Sequence, residues 1–285
     1  MKMKKFLSMG IVLGLLMGML SGCGNNQEVQ TGEAENGAAV INVGYVTGSY
    51  PLSYEDEDGN LTGYELETLK LVDEQLDDYV FKYSSAAQDA LYTGLSTGMY
   101  DLIVTNSFYT KERAEKYILP ENPLGASLVG IVTDIDRTDI QGFEDAAKAG
   151  LSLAPILAGD GLYYVVDQYN EGHPEQTIAL EATDNGDAFM NSISWVAEGR
   201  YDFAVWPKNY WEQVVAAQDG SLHQYYDQVQ FIECKSVYTY SVIAAGEDEF
   251  AAAVSEALGN LYDDGTLKRL SEQFYGYDAF AYDNE

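Results

Sequence analysis

Cysteine and histidine are nearly absent. The 285-residue chain has two of each, Cys23 and Cys234, His173 and His223. That scarcity excludes a His/Cys metal cluster of the usual spacing. It also makes a Ser-His-Asp or Cys-His nucleophilic arrangement hard to assemble, because neither histidine stands in a nucleophile motif. His173, in Glu171-Gly172-His173-Pro174, reads as a solvated loop residue, and His223 as a surface residue of a helix or turn. Basic residues are scarce too: 15 Lys and Arg stand against 46 Asp and Glu, for a net charge of −31. Phosphate backbones need clustered Lys and Arg, so nucleic acid is excluded as a partner. Such acidity serves solubility at a crowded surface.

Some of those few lysines open the chain. Met1, Lys2, Lys4 and Lys5 form a basic start, and Ile11 to Leu20 an apolar run broken only by glycines. This is the pattern of a secretory signal over residues 1–22. The uncharged stretch from Phe6 to Gly22 is short of the roughly 20 apolar residues a membrane span needs. It ends in Leu20-Ser21-Gly22-Cys23, which resembles the bacterial lipobox, implying that Cys23 is lipidated and becomes the mature N-terminus. Cys234 is then the single cysteine left, no intramolecular disulfide forms, and stability rests on packing. Residues 23–39 read as the lipidated cysteine and a flexible tether, since Gly24 to Ala39 is rich in Asn, Gln, Gly and Glu with almost no apolar content.

From residue 40 onward the chain is long enough for one large or two medium domains. Ile41 to Val46 alternates with β-branched residues and reads as a strand. Leu66, Leu69, Leu71, Val72 and Leu76 follow at helical spacing. Tyr79 to Tyr83 reads as a strand, Ala87 to Thr97 as a helix and Asp101 to Val104 as a strand. The alternation restarts with strands at Leu128–Val132 and Leu151–Ile156, helices at Gly161–Tyr169 and near Asp187–Ala197, and a buried strand up to Val205. Ser236–Ala245 reads as a strand and Glu249–Phe274 as helices that dock back on the first unit. Alternating β and α elements predict α/β architecture with mostly parallel sheets.

Several segments, taken in order, resemble one family. They are Asp58-Gly59-Asn60-Leu61-Thr62-Gly63-Tyr64, Gly98-Met99-Tyr100-Asp101-Leu102-Ile103, Thr110-Lys111-Glu112-Arg113, Glu198-Gly199-Arg200-Tyr201-Asp202 and Leu261-Tyr262-Asp263-Asp264-Gly265-Thr266-Leu267. Their order and spacing over Ile41 to Gly276 are similar to the amino-acid branch of the solute-binding proteins that feed ATP-driven importers. The resemblance implies a two-lobed type II periplasmic-binding-protein (Venus-flytrap) fold, each lobe a mostly parallel sheet flanked by helices. Residues 40–124 with 238–285 are expected to form lobe 1 and the inserted residues 128–233 lobe 2, with hinges near 125–128 and 234–238. Ligand is expected between the lobes, at loops where strands end.

The resemblance also assigns candidate contacts. Arg113, after the T-x-E motif, is expected to grip a ligand carboxylate through two parallel charge-assisted hydrogen bonds. Its alternative is a surface ion pair with Glu112 or Glu115. Thr105, Asn106, Ser107 and Phe108 occupy the family's small-polar loop. Phe108 departs from that pattern and either narrows the cleft or sits in the core beneath the loop. Gly159, Asp160 and Gly161 fit a loop whose amides point at the ligand from a helix N-terminus. Asp160 stands where a hydroxyl residue is usual and also suits an N-cap. Tyr45, Tyr50 and Trp206 are expected to line the cleft. Val46 and Pro207 fill the two places where family members carry the acids that pair with a ligand ammonium. Asp160, Asp184, Asp187 or an aromatic face is left to do so.

The expected function is therefore capture of a small carboxylate-bearing ligand, an amino acid or a relative, by a monomeric protein without cofactor or metal. The partners are an ABC permease and its ATPase, and the protein is lipid-anchored at the extracytoplasmic face of the bacterial membrane. A dehydratase-like enzyme on the same scaffold, or a sensory or adhesive lipoprotein without a transporter, is the alternative.

Overall fold

The computed structural model describes residues 37–282. The expected leader, Cys23 and most of the tether therefore lie outside the described residues. The chain opens with β1 (Ala39–Val46), the short strands β2 (Tyr54–Glu55) and β3 (Leu61–Thr62), α1 (Tyr64–Asp73), β4 (Tyr79–Ala86), α2 (Gln88–Thr97), β5 (Leu102–Phe108) and α3 (Lys111–Lys116). It continues with β6 (Gly125–Asp134), α4 (Phe143–Lys148), β7 (Ile156–Leu157), α5 (Gly161–Gly172), β8 (Ala182–Thr183), α6 (Ala188–Ala197), β9 (Phe203–Pro207) and α7 (Lys208–Trp211). A π-helical turn, Glu212–Ala216, extends α7. Last come β10 (Val229–Ile243), α8 (Asp248–Asp263) and α9 (Thr266–Tyr275).

Local chemistry sets several of these boundaries. Gly63 starts α1 at φ 121°, and a Cβ there would stand 2.3 Å from the Leu52 carbonyl oxygen, so only glycine fits. Leu66, Leu69 and Val72 of α1 are then fully buried, each contributing roughly 1.5–3 kcal/mol by leaving water. Thr110 caps α3 by accepting from the Arg113 amide at 3.1 Å. On α8, Phe250, Val254, Ala257, Leu258 and Leu261 recur at helical spacing on the buried face.

The principal sheet runs β4-β1-β5-β10-β6-β9. β4, β1 and β5 are parallel, as βαβ connections require. The expected parallel order stops there. β10 is antiparallel to both β5 and β6, and β6 is antiparallel to β9. The reason is that β6 and β10 are long strands running through the whole molecule. β10 pairs with β6 from Val229 to Thr239 and with β5 from Thr239 to Ile243. The second region keeps parallel pairing in β7–β8 and in a single bridge between Leu153 and Phe203. Pro155, which cannot donate to a ladder, splits the strand expected over Leu151–Ile156.

The cores follow this division. Ile41, Leu66, Leu102, Ile243, Val254 and Leu267 share one cluster, so both ends of the described chain build one lobe. Val129, Ile140, Val166 and Phe203 pack in a second cluster, and Ile193, Trp206, Val215 and Val229 in a third, on the other lobe.

Candidate ligand-binding cleft

A cleft of about 390 Å³ opens where the two lobes face each other. One wall carries Thr105, Asn106, Phe108 and Arg113; the other carries Asp160, Gly161 and residues of α6 and β9. The volume suits a small molecule.

Arg113 lies on α3, half-buried, with its guanidinium fixed on two sides. Nε donates to the Tyr92 hydroxyl at 3.0 Å and Nη1 to the Phe108 carbonyl at 2.7 Å. The Tyr92 phenol in turn meets Ser107 Oγ at 2.9 Å, and Ser107 meets Thr105 Oγ1 at 2.7 Å. This hydrogen-bonded row holds the guanidinium plane still, and Nη2 has no partner among the described residues. Among the described residues Arg113 makes no ion pair with Glu112 or Glu115, and Glu112 is engaged by Lys116 at 2.6 Å. A pre-positioned guanidinium with free N–H groups is suited to accept an oxyanion.

Asn106 has a φ of 51°, and among the described residues it is the non-glycine with positive φ. Asparagine tolerates that region better than most residues, and two contacts hold it there. Its amide donates to Glu65 Oε1 at 2.7 Å, and its Oδ1 accepts from Ser127 Oγ at 3.1 Å. Glu65 is 2 % exposed. Burial pushes its carboxyl up to about 7, opposed by the Asn106 N–H.

On the facing wall Asp160 caps α5, its Oδ1 accepting from the Leu162 amide at 2.7 Å. Burial raises its pKa, while the Leu162 N–H and the Arg113 charge work the other way. Arg113 and Asp160 thus place opposite charges on opposite walls. Gly161 lies against Phe108 so closely that a Cβ there would stand 2.6 Å from the ring. Phe108 is therefore both wall and core, packed into the second lobe's cluster.

Other expected contacts fall elsewhere. Ser107 is buried behind the wall, and Gly159 precedes the cleft without lining it. Trp206 is corrected: it is fully buried, stacked on Phe189 at 4.1 Å, with Nε1 donating to Ser192 Oγ at 2.8 Å. Ala204, Val205 and Pro207 of β9 line the cleft, while the Trp206 ring turns away onto Phe189 and Ser192 of α6. Tyr45 is corrected too, packing on the first core cluster. Tyr50 is 53 % exposed and lies edge-on to Tyr54, away from this cleft. Asp184 and Asp187 are exposed and do not line it. Sequence reasoning missed Tyr92, Glu65, Phe189 and Met190. Glu65 was findable, since it shares the apolar face of α1 with Leu69 and Val72 at four- and seven-residue spacing.

Two α/β lobes sharing a sheet, with a charged cleft between them, define a bilobal solute-binding protein. The chain belongs to the bacterial extracellular solute-binding proteins, family 3, whose model matches residues 41–277. It is 28 % identical over 287 residues to the probable amino-acid-binding protein YxeM of Bacillus subtilis, covering 98 % of this chain and 97 % of that one. It is 26 % identical to the L-cystine-binding protein TcyK of Bacillus subtilis, covering 94 % of each. Among solved structures it is similar to one from work on glutathione import through GshT and the cystine ABC importer TcyBC of Streptococcus mutans. That match has a TM-score of 0.60 and 27 % identity, over 85 % of this chain and 96 % of that one.

Proposed function

We propose that this protein captures a small amino-acid-like ligand bearing a carboxylate and hands it to an ABC importer, binding without catalysis. The observation that carries this reading is the guanidinium of Arg113, immobilised by Tyr92 and the Phe108 carbonyl, with Nη2 unpartnered among the described residues, on a residue that lines the cleft. Asp160 opposite suits the ammonium of the same ligand, and Phe189 and Met190 its apolar part. Names of the relatives support amino acids, cystine among them, as the first candidates. Residues 40–124 with 238–285 act as one lobe and residues 128–233 as the other, hinging near 125–128 and 234–238. The protein works as a monomer held by lipid on Cys23 at the extracytoplasmic face of the membrane.

Calorimetric titration with amino acids, cystine included, tests the reading on the parent and two variants. Arg113→Ala is expected to lower affinity by roughly two powers of ten or more, because a partly desolvated carboxylate loses its partner. Arg113→Lys recovers part of it, since a point charge cannot reproduce the fork. Equal affinities in all three proteins refute the assignment. For the anchor, Cys23→Ala is expected to release the protein from the membrane fraction or leave it unprocessed. A cleaved variant still found with membranes refutes it.

A further inference from the structure

A second cavity, about 620 Å³, lies between the lobes and shares no lining residue with the Arg113 cleft. Tyr50 and Tyr275 come to it from the first lobe, and Asn209, Glu212, Asp219 and Ser221 from the second. Adjacent residues of α7 serve the two sites: Tyr210 lines the Arg113 cleft and Asn209 this one. The segment that follows is the π-helical turn, a backbone form that recurs at functional sites.

Several of its polar groups have no hydrogen-bond partner among the described residues. Asn209 is 8 % exposed, and its side-chain amide makes no hydrogen bond among the described residues. That amide is not sealed from solvent; Asn209 lines the cavity, so its amide is free to pair with an occupant. The Tyr275 hydroxyl has no hydrogen-bond partner among the described residues either. No lysine or arginine lines the cavity. The nearest cation, Lys208, is drawn off: its Nζ sits 2.6 Å from Glu233 and 4.2 Å from the Tyr277 ring centroid, against 3.8 Å from Glu212. Two carboxylates, an amide oxygen and aromatic faces, with no basic residue, make a cavity that attracts positive charge carrying N–H donors.

We infer that this second cavity binds a small organic cation with primary amines, independently of the ligand at Arg113. An occupant would touch both lobes at once.

Putrescine is the probe, titrated into ¹⁵N-labelled protein at fixed ionic strength beside uncharged 1,4-butanediol. Expected are saturable amide shifts over residues 209–221 and at Tyr50 and Tyr275 with putrescine, and none with the diol. Glu212→Gln with Asp219→Asn should weaken binding at least tenfold, while Arg113→Ala leaves it unchanged. Asn209→Asp, which adds a carboxylate, should tighten it, and this variant serves should the double variant misfold. Absent shifts, shifts that rise without saturation, or shifts shared by the diol overturn the inference. So do saturable shifts centred on residues 105–113 and 157–162, and so does binding indifferent to these substitutions.

Discussion

At the scale of single residues, Glu65, buried behind Asn106 of the cleft wall, is the least expected feature. It is a carboxyl in the core, with one hydrogen bond, from the Asn106 amide, and its pKa is pushed up to about 7 by burial. The folded protein therefore holds the proton to higher pH than the unfolded chain does. Its contribution is most favourable below the unfolded carboxylate value near 4.5, declines as pH rises toward 7, and is a constant penalty above that. Glu65→Gln removes that decline while keeping an oxygen to accept from Asn106. Stability of Glu65→Gln relative to the parent is expected to rise between pH 4.5 and 7, by on the order of a few kcal/mol. Urea unfolding of both proteins at pH 5 and pH 8 measures it, and a stability difference equal at the two pH values counts against a buried proton on Glu65.

At the scale of elements, the entry to α5 is the most constrained part of the site. Gly161 touches Phe108 because it has no side chain, so β5 of one lobe and α5 of the other meet at van der Waals distance. Alanine suits a helix better than glycine, so any loss in Gly161→Ala comes from the clash with the ring. We expect Gly161→Ala to cost about 1–3 kcal/mol in stability, and Phe108→Ala combined with it to recover part of that loss. Thermal unfolding of the two variants and their combination forms the cycle; strict additivity would count against the contact. The same element marks what was legible in the sequence. Thr105 and Asn106 stand late in β5, Arg113 stands in the short α3, and Asp160 and Gly161 begin α5, so these residues lie at or near element ends that local signals mark, and the cleft joins them. Trp206 was misplaced because every residue of β9 is buried, so composition carried no phase to tell the cleft face from the α6 face. The long β10 was read only from Ser236 onward, because its first half mixes Gln230, Glu233 and Lys235 into a half-buried pattern. Long-range pairing with β6, which no local signal encodes, makes it one strand.

At the scale of the whole molecule, β6 and β10 pair along the join of the two lobes, Phe108 packs from one lobe into the other's core cluster, and the polar and aromatic contacts across the gap are weak. Lys111 reaches Glu171 at 3.3 Å, but both side chains are more than half exposed, so solvent screens the pair. Tyr109 and Tyr164 meet at 5.5 Å between ring centroids. Lys208 over the Tyr277 ring adds on the order of 1 kcal/mol. These surface contacts add little to closure, so under the hinge proposed above the balance between open and closed depends on what occupies the cleft. Under that hinge a ligand touches both walls only in the closed form, and the differential affinity shifts the population. Saturating ligand is therefore expected to reduce the radius of gyration in small-angle scattering and to raise the unfolding free energy by about 2.7 kcal/mol at a hundredfold excess over Kd. Arg113→Ala at the same ligand concentration should stay as extended as the unliganded parent. A tightly bound ligand that stabilises the protein with no change in radius would leave the cleft as a binding site and remove the hinge from its mechanism.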